Sequence, residues 1–527
     1  MSEAFAITDV RPSKPLSNGP LQLPFQRPHE RCRTFISPAV EDVIDDIYPR
    51  MKDPDLAQIF RNAFPNTLDT TVRWHVDGIK TFAPRSKLVQ DKDKWQGPQS
   101  FIVTGDINAE WLRDSTNQLA QYQTLAKTAP EISNLILGAI NTQAEYVIES
   151  PYCNAFQAPG PSKIKPVRSG QQDNVHPAFE PTLVFECKYE LDSLANFLSL
   201  GNQYHASTNS TAFLTKSWFH ALKSVQRVLR EQSTPTFNPD DGSYQGNTYT
   251  FRRQAWTGTE TLNLDGLGNP LANGTGLVRS AFRPSDDATI FGFFIPANAM
   301  MSVELDRTAA ILMKAAANNP VKSEKELLDL ASDLRNKAYS IKTGIYKHAV
   351  ITHPVFGKVF AFEVDGYGSQ LLMDDANIPS LLALPLLGFV DATDEIYQNT
   401  RRMILSQQGN PYFLKGTAFS GIGGPHIGLR NAWPMSALVQ AMTSNDAEEI
   451  MDCINRVKNV TLMGVVNESV NVERGGKGVG AYTRSWFAWA NSVFAQAILH
   501  IAEKNPSLIF KDSAPYRVGV GFLPVGA

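Results

Sequence analysis

The stretch Thr104-Gly-Asp-Ile-Asn-Ala-Glu-Trp-Leu-Arg-Asp-Ser115 packs Asp106, Glu110, Asp114, Arg113 and Trp111 close together. Carboxylates and a guanidinium group are suited to the hydroxyls of a pyranose ring, and an indole to its apolar face. The bland account is a helix N-terminus whose acids are favoured by the dipole, with Arg113 in a local ion pair. Trp111 and Leu112 weaken it, because bulky apolar residues between charges imply charges held partly out of water, which need partners or a ligand.

Two further carboxylate clusters lie downstream. In Phe282-Arg-Pro-Ser-Asp-Asp-Ala288, Ser285 is a fair N-cap, with Asp286 and Asp287 in the first turn of a helix expected to run to Leu312. A carboxyl there, out of solvent and beside another carboxylate, is instead expected to have a raised pKa and to donate a proton near neutrality. Arg283 joins these as a substrate-binding candidate. The third cluster, Val465-Val-Asn-Glu-Ser-Val470, places Glu468 between apolar residues and a Gly-rich loop. Loops between them offer Asp365, Asp374, Asp375 and His426 as hydrogen-bonding groups, although His426 alone suits a structural role as well. Arg484 and Trp486 sit in Tyr482-Thr-Arg-Ser-Trp-Phe-Ala-Trp-Ala-Asn491, where Trp486 and Trp489 have the spacing of a buried helical face. No DDxxD magnesium pair is present, and GxGG at 421–424 without a preceding strand is a poor phosphate loop.

The elements that must position these groups are mostly helices. Apolar periodicity predicts helices within 40–64, 111–125, 132–148, 183–200, 212–232, 287–312, 323–342, 379–387, 394–406, 431–443, 446–460 and 482–504, with a hairpin over 345–365 turning at Phe356-Gly357. About a dozen helices in consecutive pairs with long loops and little strand suggest an all-α fold, an (α/α)6 barrel whose loops gather at one face. No fixed-period repeat favours a solenoid instead. Residues 1–35, rich in proline, are expected to be an extended arm, and 36–527 a single catalytic domain.

Composition narrows the function classes. The 527 residues are 43% hydrophobic and 19% charged with a net charge of −3, which gives no footprint for nucleic acid or an anionic membrane surface. No apolar run reaches the roughly 20 residues of a membrane span. Cys32, Cys153, Cys187 and Cys453 are scattered without a CxxC pair, so ordinary thiols are expected, with neither a zinc site nor a disulfide framework. The N-terminus as written has no secretory signal pattern, pointing to the cytoplasm, while sequons at Asn209, Asn273 and Asn459 keep the secretory pathway open.

Taken together and in this order, TGDINAEWLRDS, FECKYELDSL (185–194), FRPSDDA, FEVDGYGSQLLMDDANIPSLLALP (362–385), GGPHIGLRNAWPMS (423–436), VNES and YTRSWFAWANS (482–492) resemble glycoside hydrolase family 125. The resemblance spans about 100–505 and leaves the N-terminal arm and the loop 471–480 outside. It implies an (α/α)6 barrel and an inverting exo-α-1,6-mannosidase with no cofactor, acting on an oligosaccharide such as a mannan or N-glycan remnant. It further implies a general acid from FRPSDDA, Asp286 with Asp287 as the alternative, and Glu468 as general base, with Asn467 where relatives carry histidine. Asp106, Arg113 and Asp114 would then clamp the terminal sugar. Two alternatives remain at this point: a gluco-configured inverting glycosidase on the same fold, and a glycan-binding protein with a dead site. Oligomeric state is not legible.

Overall fold

Nine helices differ in how much of their circumference is buried, and this sorts them into two rings. Leu112–Leu119, Leu191–Thr208, Ile295–Ala315, Pro434–Met442 and Ala488–Lys504 are buried on nearly every side, as expected of helices surrounded by protein. Lys216–Glu231, Glu324–His348, Glu395–Ile404 and Ala447–Val460 bury one stripe and expose the other.

The computed structural model describes residues 16–79, 95–478 and 480–517. In it the inner helices follow one another around a ring. Leu112–Leu119 packs on Leu191–Thr208, that helix on Ile295–Ala315, and that in turn on the single turn Leu384–Leu387. Pro434–Met442 packs on Ala488–Lys504, which returns to Leu112–Leu119. Outside it, Glu324–His348 lies along Ile295–Ala315, Ala447–Val460 along Pro434–Met442, and Pro54–Ala63 against Ala488–Lys504, while Pro130–Glu149 joins Lys216–Glu231. The fold is an (α/α)6 barrel with small antiparallel sheets of two or three strands in its loops. The hairpin Val350–His353 with Gly357–Phe360 forms where expected.

Two sequence expectations are corrected. The helix thought to begin at Ser285 begins at Ile295, with Pro296 in its first turn. Residues 283–286 close a reverse turn instead, Asp286 N–H donating to the Arg283 carbonyl at 3.0 Å, and Asp286 has a left-handed backbone (φ 71°). The β-branched and glycine residues of Thr289-Ile-Phe-Gly292 suit that irregular path better than a helix. Secondly, Cys153 and Cys187 form a disulfide across 34 residues of sequence. Antiparallel pairing of Ala155 with Glu186 brings them together, a neighbourhood that spacing along the chain does not reveal. Cys32 and Cys453 are free. The described part of the N-terminal arm, 16–35, contains one three-residue 3-10 turn and is tied to the body. Leu23 is buried, and Arg27 bonds Glu41 and Asp69. Residues 1–15 of that arm and Val479 of the loop 471–480 lie outside the described residues. Among the described residues no helix is long and apolar enough to cross a membrane.

Candidate active site

Starts of inner helices and five loops converge on one small cavity at the end of the ring. Trp111, Arg113 and Asp114 come from one helix start, Trp433 from a second, Phe487 and Trp489 from a third; Asp286, Asn377, His426, Glu468 and Arg484 come from loops. The aromatic groups give apolar walls and the charged groups line the rest, the mixture a sugar ring requires.

Arg113 is fixed by neighbours that sequence reading did not select. Its Nη1 reaches Glu190 at 2.5 Å and Asp192 at 3.2 Å, its Nε lies 3.6 Å from Asp114, and its guanidinium rests 5.4 Å from the Trp489 ring. All these charged groups are buried. Asp114 keeps one oxygen, Oδ1, buried without a hydrogen-bond partner. Burial pushes its carboxyl up to about 7, against the pull of Arg113.

Asp286 is the most exposed carboxylate of its segment, its side chain keeping 39% of its surface. Its Oδ1 is buried and makes no hydrogen bond, so the exposed face is that of Oδ2, toward the cavity. Lys188, itself 1% exposed in its side chain, lies 3.6 Å from Oδ1 and donates to the Asp286 carbonyl at 3.2 Å. Burial in the narrow cavity raises the Asp286 carboxyl, but Lys188, Arg113 and His426 outweigh it and hold it below the usual aspartate range. The expectation of a raised pKa is therefore reversed in the free protein, because the nearest charge is a cation and not the neighbouring Asp287.

Glu468 faces the same cavity. Thr483 Oγ1 donates to its Oε2 at 2.7 Å and Arg484 Nε stands 3.4 Å from that oxygen. Arg484 also bonds Asp106 at 2.9 Å, so Asp106 sits at the exposed rim. Trp486 packs over Gly105, where a Cβ would lie 3.3 Å from the indole on a backbone of φ 142°; this glycine admits the ring. Asn467 is buried and donates to the carbonyls of Arg484 and Ser485 at 3.2 and 2.9 Å, holding the chain that carries Arg484.

Apart from His426, the remaining candidates do not line the cavity, and neither do Asp106 and Trp486. Arg283 is buried on Glu363 at 2.6 Å. Asp287 lies behind Asp286, its Oδ2 3.0 Å from His426 Nδ1. His426 does line the cavity; Asp287 and its acidic neighbours raise its pKa to about 9 against the cost of burial, so it is a cation at neutrality. Asp375 accepts from Asn377 N–H at 3.1 Å, and Asp374 accepts from the N–H groups of Leu381 and Leu382 at 2.9 Å. Asp365 accepts from Tyr367 and Ser369 N–H in a turn. These three order the loops around the site. Sequence reading missed Lys188, Glu190 and Asp192 as site supports. The alternation of charged and apolar residues in Phe185-Glu-Cys-Lys-Tyr-Glu-Leu-Asp192 was their signal. Among the described residues no group of three or more His, Cys, Asp and Glu is placed to hold a metal ion.

Comparisons with known proteins give the family. Residues 53–499 match the family model of metal-independent alpha-mannosidases, GH125. The chain is 49% identical over 499 residues to the Meiotically up-regulated gene 157 protein of Schizosaccharomyces pombe, covering 94% of this chain and 92% of that one. It superimposes with a TM-score of 0.74 and 31% identity on a metal-independent alpha mannosidase of Streptococcus pneumoniae, solved in a non-productive complex with alpha-1,6-mannobiose, over 88% of this chain and 98% of that one. The chain thus belongs to glycoside hydrolase family 125, the metal-independent α-mannosidases.

Proposed function

We propose that this α-mannosidase is exo-acting, removes terminal mannose from α-1,6-linked mannosides and inverts the anomeric centre. The observation that carries the reading is that Asp286 and Glu468, from segments far apart in sequence, face the same small cavity. Each keeps part of its carboxylate toward that space. Two carboxylates flanking one sugar position are what glycoside hydrolysis needs, and room for a water between them and the sugar makes it a single displacement.

In the proposed reaction Asp286, a carboxylate in the free protein, takes up a proton on Oδ2 as substrate binds and passes it to the glycosidic oxygen as the bond from C1 to that oxygen breaks, and the aglycone leaves as an alcohol. Glu468 takes a proton from the water that attacks C1 from the opposite face. Asp114, which lines the cavity, accepts from a sugar hydroxyl, and the indole and phenyl walls take the ring's apolar face. The relative's complex with alpha-1,6-mannobiose supports the linkage. The test is mannose release from α-1,2-, α-1,3- and α-1,6-mannobiose. Cleavage of the α-1,6 dimer alone is expected; preferential cleavage of another linkage, or of none, overturns the linkage reading.

A further inference from the structure

Lys188 is a buried cation that touches no part of the cavity, yet it stands against the carboxylate to which the acid role is given. Its ammonium is held by Glu260 at 2.8 Å, with Glu186 at 3.7 Å. It remains charged because Asp286 and the two glutamates outweigh the cost of burial. Burying a lysine is costly enough that a specific electrostatic role is expected of it.

Its two contacts on Asp286 do different things. The bond to the Asp286 carbonyl braces a left-handed backbone that a non-glycine residue adopts only at a cost. The ammonium beside Oδ1 makes that oxygen the favoured seat of negative charge, so a proton on the carboxyl belongs on Oδ2, the oxygen toward the cavity. Resting on the acid role proposed above, we infer that Lys188 is a positioning residue that directs the Asp286 proton to Oδ2 and stabilises the carboxylate left after transfer, making Asp286 a stronger acid toward the leaving oxygen.

Other groups set the same local field. Arg113, His426, Arg253 and Arg484 add positive charge around Asp286. Asp114, Glu190 and Asp192 add negative charge, as does Glu468 across the cavity. Lys188 is the cation with the largest effect on Asp286. It is not among the residues that line the cavity.

The test compares Lys188→Met, Lys188→Arg and Glu260→Gln with wild type on α-1,6-mannobiose and on α-mannosyl fluoride, whose leaving group needs little protonation. Lys188→Met is expected to lose about 30-fold or more in kcat on mannobiose and under about 3-fold on the fluoride, the selective loss of general-acid assistance. The alkaline limb of its mannobiose pH profile should move up by about one unit, because a carboxyl relieved of an adjacent cation holds its proton longer. Glu260→Gln removes an anion from beside Lys188 and should move that limb down. Lys188→Arg, which keeps the charge, should leave it in place. Equal losses on both substrates with an unmoved limb would overturn the inference and leave Lys188 a merely structural lysine. If Lys188→Met does not fold, a limb that stays still in Glu260→Gln overturns it in the same way. Failure of the acid assignment itself is separately visible: Asp286→Asn would then lose mannobiose and fluoride hydrolysis equally, or lose neither.

Discussion

The two rings of helices begin in opposite ways. Five outer helices are capped by side chains: Asp53, Thr215, Ser323, Asp394 and Asp446 each accept a backbone N–H of the first turn, whereas Pro130–Glu149, with Ala129 at that position, is not capped so. Ser323 does so within a full capping box with Glu326. Inner helices have no such cap. Trp111, Glu190, Phe294, Trp433 and Phe487 stand at those positions, and none makes a side-chain capping bond. Cap residues satisfy otherwise unpaired N–H groups and add about 0.5–2 kcal/mol each. At Trp111, Trp433 and Phe487 the inner ring forgoes that gain where aromatic walls face the cavity. Its positive helix ends also point toward a cluster of carboxylates, a favourable arrangement. One end of the molecule is built for stability and the other for a ligand.

Substitutions sharpen that contrast. The largest effect is expected at the cavity carboxylates. Asp286→Asn and Glu468→Gln should each lower kcat/KM on α-1,6-mannobiose by roughly 10²–10⁴-fold, the usual scale for losing a general acid or base. Their melting temperatures should stay near wild type; a loss of fold of the same size would dissolve the distinction between the two ends.

Next comes the buried charge cluster of the inner ring. Arg113→Met leaves Glu190 and Asp192 without their guanidinium partner and should destabilise the protein by about 3–5 kcal/mol, as removal of one member of a buried ion pair does. Denaturant unfolding measures it, and a change below about 1 kcal/mol, the scale of an exposed pair, would show that the cluster is not held as described.

Asp114→Asn should act in the other sense. Loss of one charged contact to substrate costs roughly 1.5–3 kcal/mol, seen in kcat/KM. Stability should rise at neutral pH. The folded carboxyl titrates at about 7, against 3.8 for an ordinary aspartate. Between those values the folded state keeps a proton that the unfolded chain has released, so the charged form progressively lowers stability as pH rises. Urea unfolding from pH 4 to 7 should therefore show a shallower decline in the variant; an unchanged slope contradicts the assignment.

The smallest effect belongs to the outer ring. Asp446→Ala should cost about 1 kcal/mol and leave mannobiose hydrolysis unchanged. An activity loss there would mean that the outer caps also shape the site.

The same contrast explains what was legible in the sequence. Outer helices follow local rules, a Ser, Thr or Asp before an amphipathic run, and Glu324–His348 and Ala447–Val460 fall close to their expected bounds. The inner ends break those rules. Asp286 looked like a helix start because Ser285-Asp-Asp287 has cap chemistry, but its turn is stabilised by contacts from Lys188, about a hundred residues earlier. Asp374 looked like a ligand because it is acidic and beside a second acid, whereas its oxygens receive backbone N–H groups that begin the next turn. The Cys153–Cys187 bond likewise depends on a strand pairing that no local pattern announces. Asp286 and Glu468 stood out as carboxylate clusters, the resemblance to family 125 singled them out as a pair, and the structure brings both to one cavity.

The measurement that tests the central claim most directly is proton NMR of the anomeric signals during the first minutes of α-1,6-mannobiose hydrolysis. Water delivered by Glu468 opposite a leaving group protonated by Asp286 predicts β-mannose as the first free sugar, with the α-anomer appearing later by mutarotation. Initial release of α-mannose would contradict the single-displacement account.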